Sequence, residues 1–232
     1  MSKIAIMGAM PEEVAPILEK LGQYKTTEYA GNKYYEATYN GVELVIAYSK
    51  IGKVFSTLTA TTMIEHFGAE KLLFSGVAGA ISPKLKVGDL IVATKLSQHD
   101  LDITAFGHPY GFVPEGAVYV EADKDMIELS KEVASEMGKS VVEGIIATGD
   151  QFVANEERKN WIGKEFHADA LEMEGASVAV VCDALGVPFF ILRAISDAAD
   201  MDASFSFDEF LETSAVESAE FVMKMVDRVI AH

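Results

Sequence analysis

Ile4-Ala5-Ile6-Met7 is an apolar run that does not alternate with polar residues, and a strand of that kind is buried on both faces. Such a strand needs helices above and below its sheet. The chain that follows supplies them. Apolar spacing predicts a helix from about Pro11, a residue suited to a first helical turn, to Leu21, with Gly22 as its stop. Asn40-Gly41 separates Lys33 to Tyr39 from Val42 to Ala47 and signals a type I′ hairpin, so the sheet is mixed. Further helices are predicted over 53–67, 123–137, 176–185 and 207–230, and further strands over 71–75, 90–94, 142–147 and 187–195. Strands alternating with helices imply an α/β fold, a three-layer sandwich around a central mixed sheet. The pattern leaves strand order open. No linker-like tract or fixed-period repeat interrupts the 232 residues, which read as one domain, 1–232.

Acidic residues recur where these strands end. Glu12 and Glu13 follow the first run, and Asp197 follows Phe189 to Ile195. Glu172-Met173-Glu174-Gly175 lies between the mixed segment His167 to Leu171 and the small-residue apolar run Ala176 to Cys182. An extended conformation there would point both carboxylates to one face and Met173 to the other. Ligands of open α/β sheets bind at the carboxyl ends of strands, so these acids point to one acidic site. Each also has a plainer explanation. Glu12 and Glu13 are placed to complement a helix dipole, Asp197 to cap a short helix through Ala198 to Asp200, and Glu172 and Glu174 to form a solvated strand end. Arg193 is harder to explain away, because a guanidinium inside an apolar strand needs a carboxylate or a ligand beside it.

Composition removes several function classes. A net charge of −17, with Arg158, Arg193 and Arg228 the only arginines, disfavours nucleic acid and anionic membranes as partners. The single cysteine, Cys182, allows neither an intrachain disulfide nor a cysteine-based zinc site and reads as a small core residue. Met1-Ser2-Lys3 and the short run after it resemble neither a signal peptide nor a membrane span, so a cytoplasmic protein is expected. The glycine-rich stretches Gly76 to Gly79 and Gly149-Asp150 lack dinucleotide and Walker patterns and are compatible with ordinary turns. His99, Asp100 and Asp102 crowd one segment and read as a polar loop. No metal and no cofactor are expected.

Several carboxylates with one arginine suit cleavage of a glycosidic bond. Carboxylates stabilise the positive charge that builds on the sugar while one acts as acid and another positions water. Where the leaving group is a purine, an acid at N7 neutralises it, provided burial or like charge keeps that acid protonated.

Seven segments carry a family resemblance. Gly8 to Val14, Ser49-Lys50-Ile51-Gly52-Lys53, Thr104-Ala105-Phe106-Gly107, Thr148-Gly149-Asp150-Gln151-Phe152, Leu171-Glu172-Met173-Glu174, Arg193-Ala194-Ile195-Ser196-Asp197 and Ser206-Phe207-Asp208-Glu209-Phe210 occur in order across nearly the whole chain. Together they resemble the bacterial 5′-methylthioadenosine/S-adenosylhomocysteine nucleosidases. The resemblance implies the purine nucleoside phosphorylase type of fold, a homodimer, and hydrolysis of adenine from 5′-substituted adenosines, 5′-deoxyadenosine included. It implies that Glu13 activates water with Arg193 nearby, and that Glu174 binds the ribose hydroxyls with Glu172 and Met173 beside it. Asp197, held by Ser196, would be the acid at N7. Phe152 and Val153 would take the adenine, Ile51 and Phe207 the 5′ end, and Ile103, Phe106 and Pro114 would reach that end from the neighbouring subunit. Val77 stands where many relatives have serine. With Gly149-Asp150-Gln151-Phe152, it resembles the branch that also hydrolyses 6-amino-6-deoxyfutalosine, an intermediate of the futalosine route to menaquinone. The alternatives are a phosphorylase of the same fold, which would need cations for phosphate, and a non-catalytic adenosine-binding protein.

Overall fold

The computed structural model describes residues 3–199 and 203–231, apart from the side chains of 203–206 and 208–209. Met1, Ser2 and Asp200, which ends the expected short helix from Ala198, therefore lie outside the described residues, as do the side chains of Ser206, Asp208 and Glu209.

Among the described residues, ten strands form one mixed sheet. The first, β1 (Lys3–Gly8), is the buried run with which the chain begins, and it leads into α1 (Pro11–Leu21), stopped by Gly22 at a φ of 69°. Next come β2 (Lys25–Tyr29), β3 (Asn32–Tyr39) and β4 (Val42–Tyr48), paired as an antiparallel meander. Asn40 and Gly41 have φ of 48° and 80°, as a type I′ turn requires. Helix α2 (Lys53–Thr61) widens into a π turn over Thr62–His66 before Gly68 ends it. The remaining strands are β5 (Lys71–Ala80), β6 (Leu90–Gln98), β7 (Val120–Glu121), β8 (Val141–Thr148), β9 (Ala170–Glu172) and β10 (Phe189–Asp197). Between them lie α3 (Lys124–Glu136), α4 (Glu156–Phe166) and α5 (Gly175–Leu185), and α6 (Ala203–Ala231) ends the described chain.

The neighbours of β5 create the opening on which the site depends. Leu72, Leu73 and Phe74 pair with Ala5, Ile6 and Met7 of β1, whereas Gly79 and Ala80 pair with Leu171 and Ala170 of β9. β5 thus changes partner along its length, and β1 and β9 part where the change occurs. On its other side β5 pairs with β10 throughout, from Leu72–Phe189 to Gly79–Asp197, with an irregularity between Ile195 and Asp197. Helices α1 and α6 pack together with α6 against β5 and β10, while α2 and α5 pack together with α5 against β6 and β8. One core runs from Ile4 to Val229. No helix among the described residues is long and apolar enough to cross a membrane.

Three differences from the sequence reading have local causes. β5 does not end at Ser75 but continues through the glycines to Ala80. β2, β7, β9 and α4 fall outside the expected elements: β2 is a short, mostly exposed, polar edge strand, β7 and β9 have only two and three residues, and α4 has only two buried residues, Ile162 and Phe166. Finally, the Glu172–Glu174 segment is not extended throughout. Strand β9 stops at Glu172, and Glu174 is the N-cap of α5 with φ −136° and ψ −36°.

Candidate active site

A cavity with about 570 Å³ of empty space, its mouth included, opens where β1 and β9 separate, a size in the range of small-molecule sites. Its walls come from the ends of β1, β5, β9 and β10, the turn before α2, the loop after β8 and the start of α6. Glu13, Glu172, Glu174 and Asp197 all line it and all are buried. Of the acids expected at separate strand ends these four share one site, whereas Glu12 is exposed on α1 and does not line it.

Glu13 lies in the first turn of α1 and points back over the end of β1. Ala9 and Met10 donate their N–H groups to Oε2 at 2.5 and 3.1 Å, and Val77 donates to Oε1 at 3.2 Å. Burial raises its pKa, against the lowering effect of the Arg193 charge and those three donors. The glycine at position 76 makes this placement sterically feasible. A Cβ there would fall 2.8 Å from Glu13 Oε1 and 3.2 Å from Arg193 Nη1. The stretch read as a turn is thus a strand kept bare so that charged groups can lie against it.

Asp197 is aimed by the irregularity in β10, the kind of strand disruption that re-orients side chains at sites. Ser196 Oγ donates to its Oδ2 at 2.8 Å and the Ala199 N–H to its Oδ1 at 2.8 Å. Gly79 has the same function here as Gly76 beneath Glu13, since a Cβ would stand 2.8 Å from Asp197 Oδ1.

Glu172 and Glu174 are adjacent in sequence but differ in role. Arg193 Nη2 donates to Glu172 Oε2 at 2.6 Å, the N–H groups of Gly175 and Glu174 reach the same oxygen, and the Thr148 hydroxyl donates to Oε1. Thr148 in turn accepts from the Ala176 N–H at 2.8 Å. Glu172 is thus an ion-paired carboxylate that also caps α5. Glu174 receives only the Gly52 N–H, at 2.9 Å, among the described residues. Burial and then the charge of Glu172 push its pKa up to about 8, with Arg193 and the Gly52 N–H acting the other way.

The remaining expected residues divide into three groups. Ile51, Val77, Phe152, Val153, Met173, Ser196 and Phe207 line the cavity, and the rings of Phe152 and Phe207 meet edge to face at 5.9 Å. Arg193 does not. It lies beneath the wall, 1% exposed, with its guanidinium 4.1 Å from the centre of the Phe74 ring. Ile103, Phe106 and Pro114 are also away from the cavity of their own chain, and Phe106, in a single 3₁₀ turn, is 81% exposed. Thr148, Gly52, Gly76 and Gly79 also shape the site, without a motif that assigns them a role. For the glycines, the usable signal was their position inside or beside apolar strands. Asp100, near His99, accepts from the Lys53 ammonium at 2.7 Å, and Asp102 from Thr104.

Comparison with known proteins finds similarity along nearly the whole chain. The family model of the phosphorylase superfamily matches residues 3–231. The aminodeoxyfutalosine nucleosidase of Campylobacter jejuni is 58% identical over 229 residues, covering 99% of this chain and 100% of that one. The 5′-methylthioadenosine/S-adenosylhomocysteine nucleosidase of Geobacillus kaustophilus is 40% identical over 97% of this chain and 96% of its own. The native futalosine hydrolase structure from Helicobacter pylori superposes with a TM-score of 0.96 at 53% identity, covering 98% of each chain. With these matches spanning nearly its full length, the chain belongs to the phosphorylase superfamily and, within it, to the nucleosidases.

Proposed function

We propose that this protein hydrolyses the N-ribosyl bond of 5′-substituted adenosines, releasing adenine. One observation carries the reading: Glu13, Glu174 and Asp197, from three separate elements, converge on a single nucleoside-sized cavity. The substrates follow from the relatives' names and from the resemblance: 5′-methylthioadenosine, S-adenosylhomocysteine and 6-amino-6-deoxyfutalosine.

In this mechanism Asp197 delivers a proton to purine N7, and the Ser196 hydroxyl and Ala199 N–H fix its carboxyl orientation. As the C1′–N9 bond lengthens, positive charge grows on the ribose. Glu13, fixed by three N–H groups, holds the water that attacks C1′ and takes its proton. Burial raises its pKa, and a carboxylate of higher pKa is the stronger proton acceptor once ionised. Glu174 accepts the ribose hydroxyls with Met173 against the sugar, and Phe152 stacks on the adenine while the Val153 backbone reads its edge. Ile51 and Phe207 line the 5′ end. Arg193 acts from beneath, neutralising Glu172 and lowering the cost of burying Glu13. Val77 supplies a backbone N–H to Glu13, and its side chain leaves water positioning to that carboxylate.

Among the described residues no lysine or arginine lines the cavity, which favours water over phosphate as the attacking group. The reading extends to the whole protein as a single domain in three layers, cytoplasmic, and paired as a homodimer in which Ile103, Phe106 and Pro114 close the neighbour's 5′ pocket. The exposure of Phe106 supports that last point, because a bare aromatic at a loop tip is costly unless covered.

The test is adenine release from the three nucleosides in parallel, with and without phosphate. Phosphate-independent release is expected from all three. Release that requires phosphate would replace the hydrolase with a phosphorylase, and no release would leave a binding protein.

A further inference from the structure

Outside the carboxylates, three loops meet in a ring of charge-assisted hydrogen bonds. Lys53, the first residue of α2, donates its backbone N–H to Asp150 Oδ1 at 2.7 Å and its ammonium to Asp100 Oδ1 at 2.7 Å. The Asp150 N–H closes the ring on Asp100 Oδ2 at 2.8 Å. Both oxygens of Asp100 are engaged, and its pKa is lowered: burial raises it, but the Lys53 ammonium and the Asp150 N–H outweigh that.

None of the three residues lines the cavity, yet each is joined to a segment that matters to it. Lys53 follows Ile51, Asp150 precedes Phe152 and Val153, and Asp100 leads toward Ile103 and Phe106. Between Ile51 and Lys53, Gly52 has a φ of 100°, and a Cβ on it would fall 2.9 Å from Asp150 Oδ1. The same residue holds Glu174 through its N–H. Ile51 and Phe152 are 54% and 46% exposed, so the apolar core does little to fix them. The ring is what joins their loops.

We propose that Lys53, Asp100 and Asp150 are positioning residues that set the separation of the Ile51 turn and the Phe152 loop, and with it the fit of the substrate's 5′ group. The assignment rests on the nucleosidase reading above. Its expected signature is a split between kinetic constants, because the chemistry at Glu13 and Asp197 lies elsewhere.

Asp100→Asn and Lys53→Met should each raise KM for 5′-methylthioadenosine by about tenfold, the scale of one lost charge-assisted hydrogen bond, with kcat within about threefold. Lys53→Arg, which keeps a cation, should restore most of the KM. The double variant should cost little more than either single change, as members of one ring do. Amide exchange, read on peptides spanning 50–53 and 149–153, should speed up in both single variants. Unchanged KM and exchange would overturn the proposal, and so would a fall in kcat at constant KM. If the unmodified protein releases no adenine, the nucleosidase reading fails, and the exchange arm alone decides whether the ring tethers the two loops.

Discussion

An amide has the shape of a carboxylic acid and none of its ability to hand over a proton, so Asp197→Asn separates binding from chemistry. Turnover should fall by about 10²–10⁴-fold, the usual contribution of a general acid, while calorimetry still detects nucleoside binding. Full activity would remove Asp197 from the mechanism. Glu13→Gln should also lose the hydrolytic rate by about 100-fold or more with the fold intact, since an amide cannot take the water's proton. An earlier melt with normal turnover would instead return Glu13 to the role of a helix-dipole partner. Glu174 makes a prediction about pH. Its carboxyl titrates near 4.5 when unfolded and at about 8 when folded, so between those values the folded state binds more protons than the unfolded. Its contribution to stability is therefore complete below about pH 4.5 and lost as pH rises through 8. Denaturant titrations from pH 5 to 8 should show that decline, and Glu174→Gln should flatten it. An unaltered slope would mean that Glu174 is already ionised in the native protein.

At the scale of elements, β5 is the strand on which the site is built, because its glycines admit charged groups that any Cβ would push away. Gly76→Ala should cost about 1–3 kcal/mol by overpacking against Glu13 and Arg193, read by denaturant unfolding, with a larger proportional loss of activity than of stability. Equal activity in a stably folded variant would show that Glu13 can move without consequence. This strand also marks how far the sequence could be read. Its apolar half was legible because Leu72 to Phe74 are buried on both faces. Its upper half was not, since glycines that permit close approach have the same letters as glycines that make turns. The acids were legible as a set because strand ends converge in α/β sheets, and the need of Arg193 for a partner followed from its apolar surroundings. That Glu172 is the partner while Glu174 faces the cavity was beyond local pattern. It depends on β9 stopping at Glu172, where its pairing with β8 ends, one residue after its pairing with β5. Edge strand β2 and helix α4 escaped notice because neither buries enough apolar surface to leave a period.

At the scale of the whole molecule, the homodimer proposal has the geometric consequence that each site is made by two chains. Phe106→Ala should raise KM for 5′-thio nucleosides through lost apolar contact, but that result alone does not say whose site Phe106 serves. Mixed dimers do. The Asp197→Asn protein lacks the acid but retains Phe106, and the Phe106→Ala protein lacks the aromatic but retains the acid. In a heterodimer the second chain's site would combine its own Asp197 with Phe106 of its partner and recover the unmodified KM, although neither parent has it. Mixing the two proteins under exchange conditions, with differently tagged chains to isolate the heterodimer, should therefore yield one working site per dimer, at half the unmodified kcat. If the isolated heterodimer keeps the raised KM, Phe106 acts on its own chain, and the 5′ pocket must be closed within one subunit.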